Sequence, residues 1–132
     1  MVENDTAAFV LDASALMALL NVEPGAEAVE ELATVAAISS INWCETYGKL
    51  RTAGVDAALL GANMLETGIT ILPFDETDAR NTGELVAVTR GAGLSLADRA
   101  CLSLASRLGV PAVTADRAWA NLDLGVEVVC IR

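Results

Sequence analysis

Length, composition and charge narrow the classes of protein to which this sequence can belong. The 132 residues suffice for one domain spanning residues 1–132, with a polar N-terminal tail at 1–7. Hydrophobic residues make up 54% of the chain and aromatic residues 4%, which predicts a core of Leu, Val, Ala and Ile and some apolar surface for a partner. The net charge of −10 excludes binding through a uniformly basic surface, and the absence of histidine excludes Ser-His-Asp catalysis and His-ligated zinc.

Short apolar runs alternate with segments of helical periodicity along the whole chain. Capping and turn residues mark the ends of several predicted helices, as at Asp75, Ser95 and Gly109. Pro24 suits the first turn of the second helix. In chain order, the pattern predicts a strand at 8–11, helices at 13–20 and 24–32, a strand at 35–38, helices at 40–53 and 55–66, a strand at 69–72, helices at 76–90 and 95–108, a strand at 112–114, a short helix from 116 and a strand at 126–131.

Strands that alternate with helices in this way form βαβ units. The predicted fold class is therefore α/β, a three-layer α/β/α sandwich around a five-stranded, mainly parallel sheet. In such sheets a ligand binds beyond the carboxyl ends of the strands, near the point where the strand order reverses.

Cysteine usage and the N-terminal segment bear on the cellular compartment. Cys44, Cys101 and Cys130 show no Cys-x-x-Cys spacing, and their apolar contexts predict small buried residues in a reducing compartment. The N-terminus is acidic, and Asp12 interrupts the apolar stretch that follows it. This pattern argues against a signal peptide or a membrane helix, so we expect a cytoplasmic protein without membrane contact.

Four acidic residues are predicted to meet at the carboxyl edge of the sheet. Asp12 directly follows the first strand, and Asp116 lies two residues after the fourth. Glu45 and Asp98 lie in the first turns of helices that should begin at the same edge. Clustered carboxylates repel one another, so they need a bound cation or at least one raised pKa. Oxygen donors without His or Cys favour a hard ion, Mg²⁺ or Mn²⁺, which can polarise a phosphodiester and activate water.

Each of these acids has an alternative role in capping a helix. Asp75, Glu76 and Asp78 also cap a helix, but they have no comparable partners, and we expect them to be solvated. The capping alternatives for the proposed set are N-caps at Asp12 and Asp116, a capping box of Ser95 with Asp98, and a weaker box of Asn42 with Glu45.

Around these acids the sequence resembles the PIN-domain ribonucleases and, among them, the VapC-type toxins of type II toxin–antitoxin systems. The first resembling segment is FVLDASAL at 9–16, and the second is INWCE at 41–45. LSLADRACL at 94–102 and VTADRAW at 113–119 are the most specific. The resemblance extends over 9–131.

The resemblance implies an activity, a metal and partners. It implies Mg²⁺- or Mn²⁺-dependent hydrolysis of RNA, whether tRNA, rRNA or mRNA, together with homodimerisation and neutralisation by a cognate antitoxin. By the same resemblance, the catalytic and metal-binding residues are Asp12, Glu45, Asp98 and Asp116. Ser14 and Thr114 would support these ligands or orient water, with ordinary turn hydroxyls as the alternative.

Basic residues near the proposed ligands are candidates for contact with RNA phosphates. Arg99 and Arg117 directly follow proposed ligands, and Lys49 and Arg51 follow Glu45 on its helix. Salt bridges with the surrounding acids are the alternative. Trp119 can stack on a base, although a packing role is favoured.

Other functional classes lack essential residues. No phosphate-binding loop is present, Leu96 stands where a dinucleotide-binding fingerprint needs its third glycine, and a nucleophile elbow at 93–97 has no histidine. A phospho-accepting receiver or an aspartyl-phosphate phosphatase needs a lysine near the carboxyl edge, and the only lysine is Lys49. The remaining alternative is a catalytically silent PIN-like module for binding or scaffolding.

Overall fold

The centre of the protein is a five-stranded sheet. A computed structural model describes residues 6–132. The strand order is β3-β2-β1-β4-β5, and every pairing is parallel. This confirms the predicted parallel sheet. The strands are β1 (Phe9–Leu11), β2 (Ala36–Ser39), β3 (Thr70–Leu72), β4 (Ala112–Thr114) and β5 (Val128–Cys130).

Within residues 6–132, six α-helices connect the strands, each close to its predicted position. They are α1 (Ala13–Leu20), α2 (Ala26–Leu32), α3 (Ser40–Thr52), α4 (Ala57–Glu66), α5 (Glu76–Val88) and α6 (Leu96–Leu108). Short 3₁₀ turns occupy Ala33–Val35 and Arg117–Asn121. Pro24 was expected in the first turn of α2 but lies before it, because Gly25 is the N-cap and its φ of 98° takes the chain out of the helical path.

Helices cover the sheet on both faces, which confirms the three-layer arrangement. Leu11, Ile38 and Val113 belong to the apolar cluster on one face, with residues of α1, α2 and α4. Val10 and Ala112 belong to the cluster on the opposite face, chiefly with α6. Neighbouring strand residues thus point to opposite faces and are buried on both, as expected for a central parallel strand.

The strand order reverses between β1 and β4. From β1 the chain builds outward through β2 and β3, then returns to place β4 on the other side of β1. Leu11 pairs with Val113 in β4 and with Ile38 in β2, so the carboxyl ends of these strands are level. The topological switch point, where a ligand is predicted to bind, therefore lies where β1 ends at Asp12.

Several predictions about individual side chains were wrong. Cys101 is buried as expected, but Cys44 and Cys130 are exposed, although apolar neighbours of both, among them Trp43 and Val129, pack against the core. Asp78 is not solvated: its side chain is 8% exposed and forms an ion pair with Arg107.

Two further points concern the ends of the molecule and its helices. Of the predicted tail at 1–7, residues 1–5 lie outside the described residues. Across residues 6–132, no helix combines the length and apolar character needed to cross a membrane.

Candidate active site

Asp12 is the most buried of the predicted ligands. It follows β1 and forms the N-cap of α1, where its Oδ1 accepts the Ala15 N–H at 2.8 Å. The hydroxyl of Ser14 donates to the same oxygen at 2.7 Å, and the hydroxyl of Thr114 donates to Oδ2 at 2.5 Å. Only 4% of Asp12 is exposed. Ser14 and Thr114, predicted as supporting groups, are therefore in direct contact with the carboxylate.

The pKa of Asp12 is raised above its ordinary value of 3.8. Burial is the largest cause because it disfavours the charged form, and the nearby charge of Asp98 adds to it. Hydrogen bonds from Thr114, Ala15 and Ser14 oppose the shift because they stabilise the carboxylate. A raised pKa was predicted from repulsion among clustered acids, but desolvation dominates and repulsion is the smallest contribution.

Asp98 lies close enough to Asp12 to influence its ionisation, at the start of α6. With Ser95 it forms a complete capping box: Ser95 Oγ accepts the Asp98 N–H at 3.1 Å, and Asp98 Oδ2 accepts the Ser95 N–H at 2.9 Å. The capping alternative is thus the conformation present. It leaves Asp98 Oδ1 without a hydrogen-bond partner among the described residues.

Glu45 lies in the second turn of α3, which begins directly after β2 because Ser39 both ends the strand and caps the helix. Its Oε2 is 3.3 Å from the Lys49 ammonium, and the Glu45 side chain is 34% exposed. The predicted box of Asn42 with Glu45 is not formed. Ser39 is the N-cap, and the Asn42 amide donates instead to the Ala97 carbonyl at 3.0 Å.

Asp116 is the most exposed acid of the set and follows β4. Its backbone N–H donates to Thr114 Oγ1 at 3.0 Å, so the Thr114 hydroxyl links its backbone to the Asp12 carboxylate. Its side chain caps the following 3₁₀ turn by accepting the Ala118 N–H at 3.0 Å. A small hydroxyl therefore connects the ends of β1 and β4.

All four acids lie at the carboxyl edge, but they do not form a closed cluster. Within residues 6–132, no three Asp, Glu, Cys or His side chains stand close enough to hold a metal ion. The reason is local: three of the carboxylates turn toward donors near them in the chain. These are Glu45 toward Lys49, Asp98 toward Ser95 and Asp116 toward Ala118.

The chemistry of the donors nevertheless fits a hard divalent cation. Asp12 is buried, and no basic side chain of residues 6–132 forms an ion pair with it. A buried carboxylate that lacks a cationic partner is costly, so protonation or a bound cation is its stable condition. The groups around it supply oxygen rather than sulfur or imidazole, which suits Mg²⁺ or Mn²⁺.

The candidate RNA-contacting residues differ in their surroundings. Arg99 donates from Nε to Thr89 Oγ1 at 2.8 Å and has no carboxylate partner among the described residues. Arg117 donates to the Arg132 carbonyl at 2.9 Å. Lys49 is paired with Glu45.

Two other residues considered for RNA contact lie outside the acidic edge. Arg51 is in the last turn of α3, about 9 Å along the axis from Glu45, and so lies away from the edge. Trp119 is 1% exposed and packs in the core. The packing alternative is therefore correct for Trp119, and base stacking is excluded in this conformation.

The fold and the site define an α/β domain with four carboxylates at the carboxyl edge of its parallel sheet, near the topological switch point. A comparison with known protein families matches residues 9–124 to the PIN domain. The chain belongs to the PIN-domain family. A comparison with curated proteins finds no match.

Solved structures with a similar fold come from several bacteria. DNA-bound VapBC from Salmonella typhimurium is 21% identical with a TM-score of 0.75, over 96% of this chain and 99% of that one. VapC20 from Mycobacterium tuberculosis, described as a sarcin-ricin loop cleaving toxin, is 16% identical with a TM-score of 0.72, over 90% and 98%. A toxin–antitoxin complex from Klebsiella pneumoniae is 22% identical with a TM-score of 0.69, over 93% and 97%. At these identities the likeness establishes the fold.

Proposed function

We propose that this protein is a metal-dependent endoribonuclease that acts as the toxin of a toxin–antitoxin pair. The observation that carries the proposal is Asp12, a buried carboxylate at the switch point that has no basic ion-pair partner within residues 6–132. A carboxylate that only capped α1 would gain nothing from such burial, because an exposed Asp caps a helix equally well. Binding of a cation would explain why Asp12 is buried at the switch point and why no basic side chain of residues 6–132 pairs with it.

The residues at the edge have distinct parts in this proposal. Asp12, Glu45, Asp98 and Asp116 would hold Mg²⁺ or Mn²⁺, and the bound ion would stabilise charge on the phosphodiester and lower the pKa of a water. Ser14 and Thr114 orient Asp12 and favour its ionised form, because both donate to its carboxylate.

RNA binding needs positive charge at the rim, since the chain as a whole is acidic. Arg99 suits this part because no carboxylate of residues 6–132 forms an ion pair with it and the bond to Thr89 limits its motion. Arg117 is the second candidate, and Lys49 becomes available if Glu45 turns to the metal. The activity ascribed to the Mycobacterium tuberculosis relative makes structured RNA, such as rRNA or tRNA, the first substrates to assay, with mRNA as a third.

Partners of two kinds are proposed. The similar solved structures include toxin–antitoxin complexes, which supports a cognate antitoxin for this chain. Leu59 and Leu65 on α4, Val88 on α5 and Leu96 on α6 are each more than half exposed. Exposed apolar side chains of this kind suit contact with an antitoxin or with a second copy in a homodimer. An RNA substrate and a co-expressed antitoxin would both be met in the cytoplasm, so a cytoplasmic location is part of the proposal.

The decisive experiment is RNA cleavage by purified protein with and without Mg²⁺ or Mn²⁺. We expect the wild type to cleave and both Asp12→Asn and Asp98→Asn to lose at least 100-fold in rate. Glu66→Gln removes an exposed carboxylate from the end of α4 and should retain full activity. Equal background cleavage by the wild type, Asp12→Asn and Asp98→Asn, with or without metal, would show that the protein is not a nuclease.

A silent binding module is the second candidate, and one observation favours it. Glu45, Asp98 and Asp116 are all engaged by partners near them in the chain, so each has a structural use without metal. This candidate predicts no change in melting temperature at millimolar Mn²⁺, whereas a metal-binding nuclease is stabilised by mass action.

A further inference from the structure

One buried amide joins the two helices that hold Glu45 and Asp98. Asn42 is 1% exposed, and its Nδ2 donates to the Ala97 carbonyl at 3.0 Å. Among residues 6–132 this is the only side-chain hydrogen bond between α3 and α6. Asn42 lies three residues before Glu45, and Ala97 directly precedes Asp98.

The position of this bond ties the two helices to the rest of the edge. Asn42 is in the first turn of α3, whose N-cap Ser39 is also the last residue of β2. Strand β2 pairs with β1, the strand that ends at Asp12. The bond thus fixes the start of α6 against a helix whose own start is set by the sheet.

The oxygen of the same amide differs from its nitrogen in having no partner among residues 6–132. Oδ1 of Asn42 is buried and accepts no hydrogen bond within the described residues. A buried acceptor without a donor lowers stability, so an apolar residue of similar volume would pack here at less cost. An amide at this position therefore points to a use beyond packing, and the contact it makes is the one beside Asp98.

We propose that Asn42 is a positioning residue that sets the separation of Glu45 and Asp98 through its bond to Ala97. This inference rests on the proposed metal-dependent function. Asn42 touches neither RNA nor a carboxylate; it acts through the two helices. Groups that orient metal ligands from behind typically change metal affinity or activity by about 10- to 100-fold when removed.

The test measures Mn²⁺ binding by calorimetry on the full chain. Asn42→Leu keeps the branch at Cγ and removes the donor, and we expect its dissociation constant for Mn²⁺ to rise about tenfold or more. The control is Val29→Ala, which opens a small cavity under α2, away from the acidic edge. It destabilises the fold but should change the Mn²⁺ dissociation constant less than twofold. Both variants are compared at a temperature where circular dichroism shows them fully folded.

Cleavage kinetics provide a second measurement. Because Asn42 is buried and does not reach solvent, Asn42→Leu should lower kcat for RNA and leave KM unchanged. If Asn42→Leu does not fold, Asn42→Ala, which also lacks a side-chain donor, is used in its place.

The outcomes separate this inference from the proposed function. Mn²⁺ binding by the wild type together with equal dissociation constants for the Asn42 variant and the control overturns the positioning role alone. A wild type that neither binds Mn²⁺ nor cleaves RNA overturns the proposed function and this inference with it. Mn²⁺ binding that is weakened in the Asn42 variant but not in the Val29→Ala control supports both the positioning role and the proposed function.

Discussion

The Thr114 hydroxyl donates a hydrogen bond of 2.5 Å to the Asp12 carboxylate, joining residues that are 102 positions apart in sequence. They meet because β4 returns to the side of β1, which makes the two strand ends neighbours. The same hydroxyl accepts the Asp116 N–H. One buried oxygen thus links the central carboxylate to the loop of another candidate ligand.

Removing this hydroxyl should affect both stability and ionisation. Thr114→Val keeps the shape but leaves Asp12 Oδ2 without its donor, so we expect the free energy of unfolding to fall by about 1–3 kcal/mol. The pKa of Asp12 should rise further, because the lost bond favours the charged form. Urea denaturation and an NMR titration of the carboxyl carbon measure the two effects.

The matched control for this prediction is Thr46→Val. Thr46 is also fully buried, and its hydroxyl donates to the Asn42 carbonyl rather than to Asp12. Its loss should lower stability without moving the pKa of Asp12. The same Asp12 pKa in both variants would contradict the assigned role of Thr114.

Replacing the central carboxylate should stabilise the metal-free protein. Asn in Asp12→Asn can still accept from Ala15 and Ser14, and the Thr114 hydroxyl can accept from its amide, but no charge is buried. We therefore expect a higher melting temperature at pH 7 in chelator, together with loss of nuclease activity. Such opposition between stability and function is common at active sites.

The increase in melting temperature caused by Asp12→Asn should depend on pH, because the pKa of Asp12 is raised. Its pKa is higher in the folded than in the unfolded protein, so Asp12 adds stability below pH 3.8, and this is lost as pH rises through the folded pKa. The melting-temperature advantage of Asp12→Asn should thus grow from acid toward neutral pH and then level off. A difference that is constant with pH would mean that Asp12 does not titrate abnormally.

Local patterns were sufficient to predict most elements of the fold. Helix α1 and strand β4 occupy the predicted residues, because an Asp N-cap and a short β-branched run are signals contained within a few positions. The edge at which the acids gather also followed from the parallel arrangement. The neighbour relation of β1 and β4 could not be read from local patterns, because it depends on the path of the chain between them.

Details of the site depended on contacts that sequence patterns do not contain. Ser95 and Asp98 predicted a capping box correctly, but spacing could not decide whether Asp98 faces its own helix or an ion. Asn42 was assigned to a cap because its residue type suits one, and its bond to Ala97 spans 55 residues. The burial of Asp78 likewise needed Arg107, 29 residues away.

Cysteine labelling should distinguish one thiol from the other two. Cys44 and Cys130 are exposed and should react with a maleimide in the native protein. Cys101 is fully buried, and burial, together with the charges of Asp12 and Asp98, raises the pKa of its thiol well above 9.0. Mass spectrometry at timed intervals should find two labels quickly and a third only on unfolding. Three labels at equal rates would contradict this placement of α6.

Two acidic residues of α5 form ion pairs with arginines, one pair partly buried and the other exposed. Arg107 lies 3.1 Å from the Asp78 carboxylate, whose side chain is 8% exposed, whereas both side chains of the Arg80–Glu76 pair are more than 70% exposed. Arg107→Met leaves a buried charge without its partner and should lower the free energy of unfolding by roughly 1–3 kcal/mol. Arg80→Met should cost less than about 0.5 kcal/mol, since water solvates and salt screens that pair. Urea denaturation at low and high salt measures both, and equal losses would mean that the burial of Asp78 has no energetic consequence.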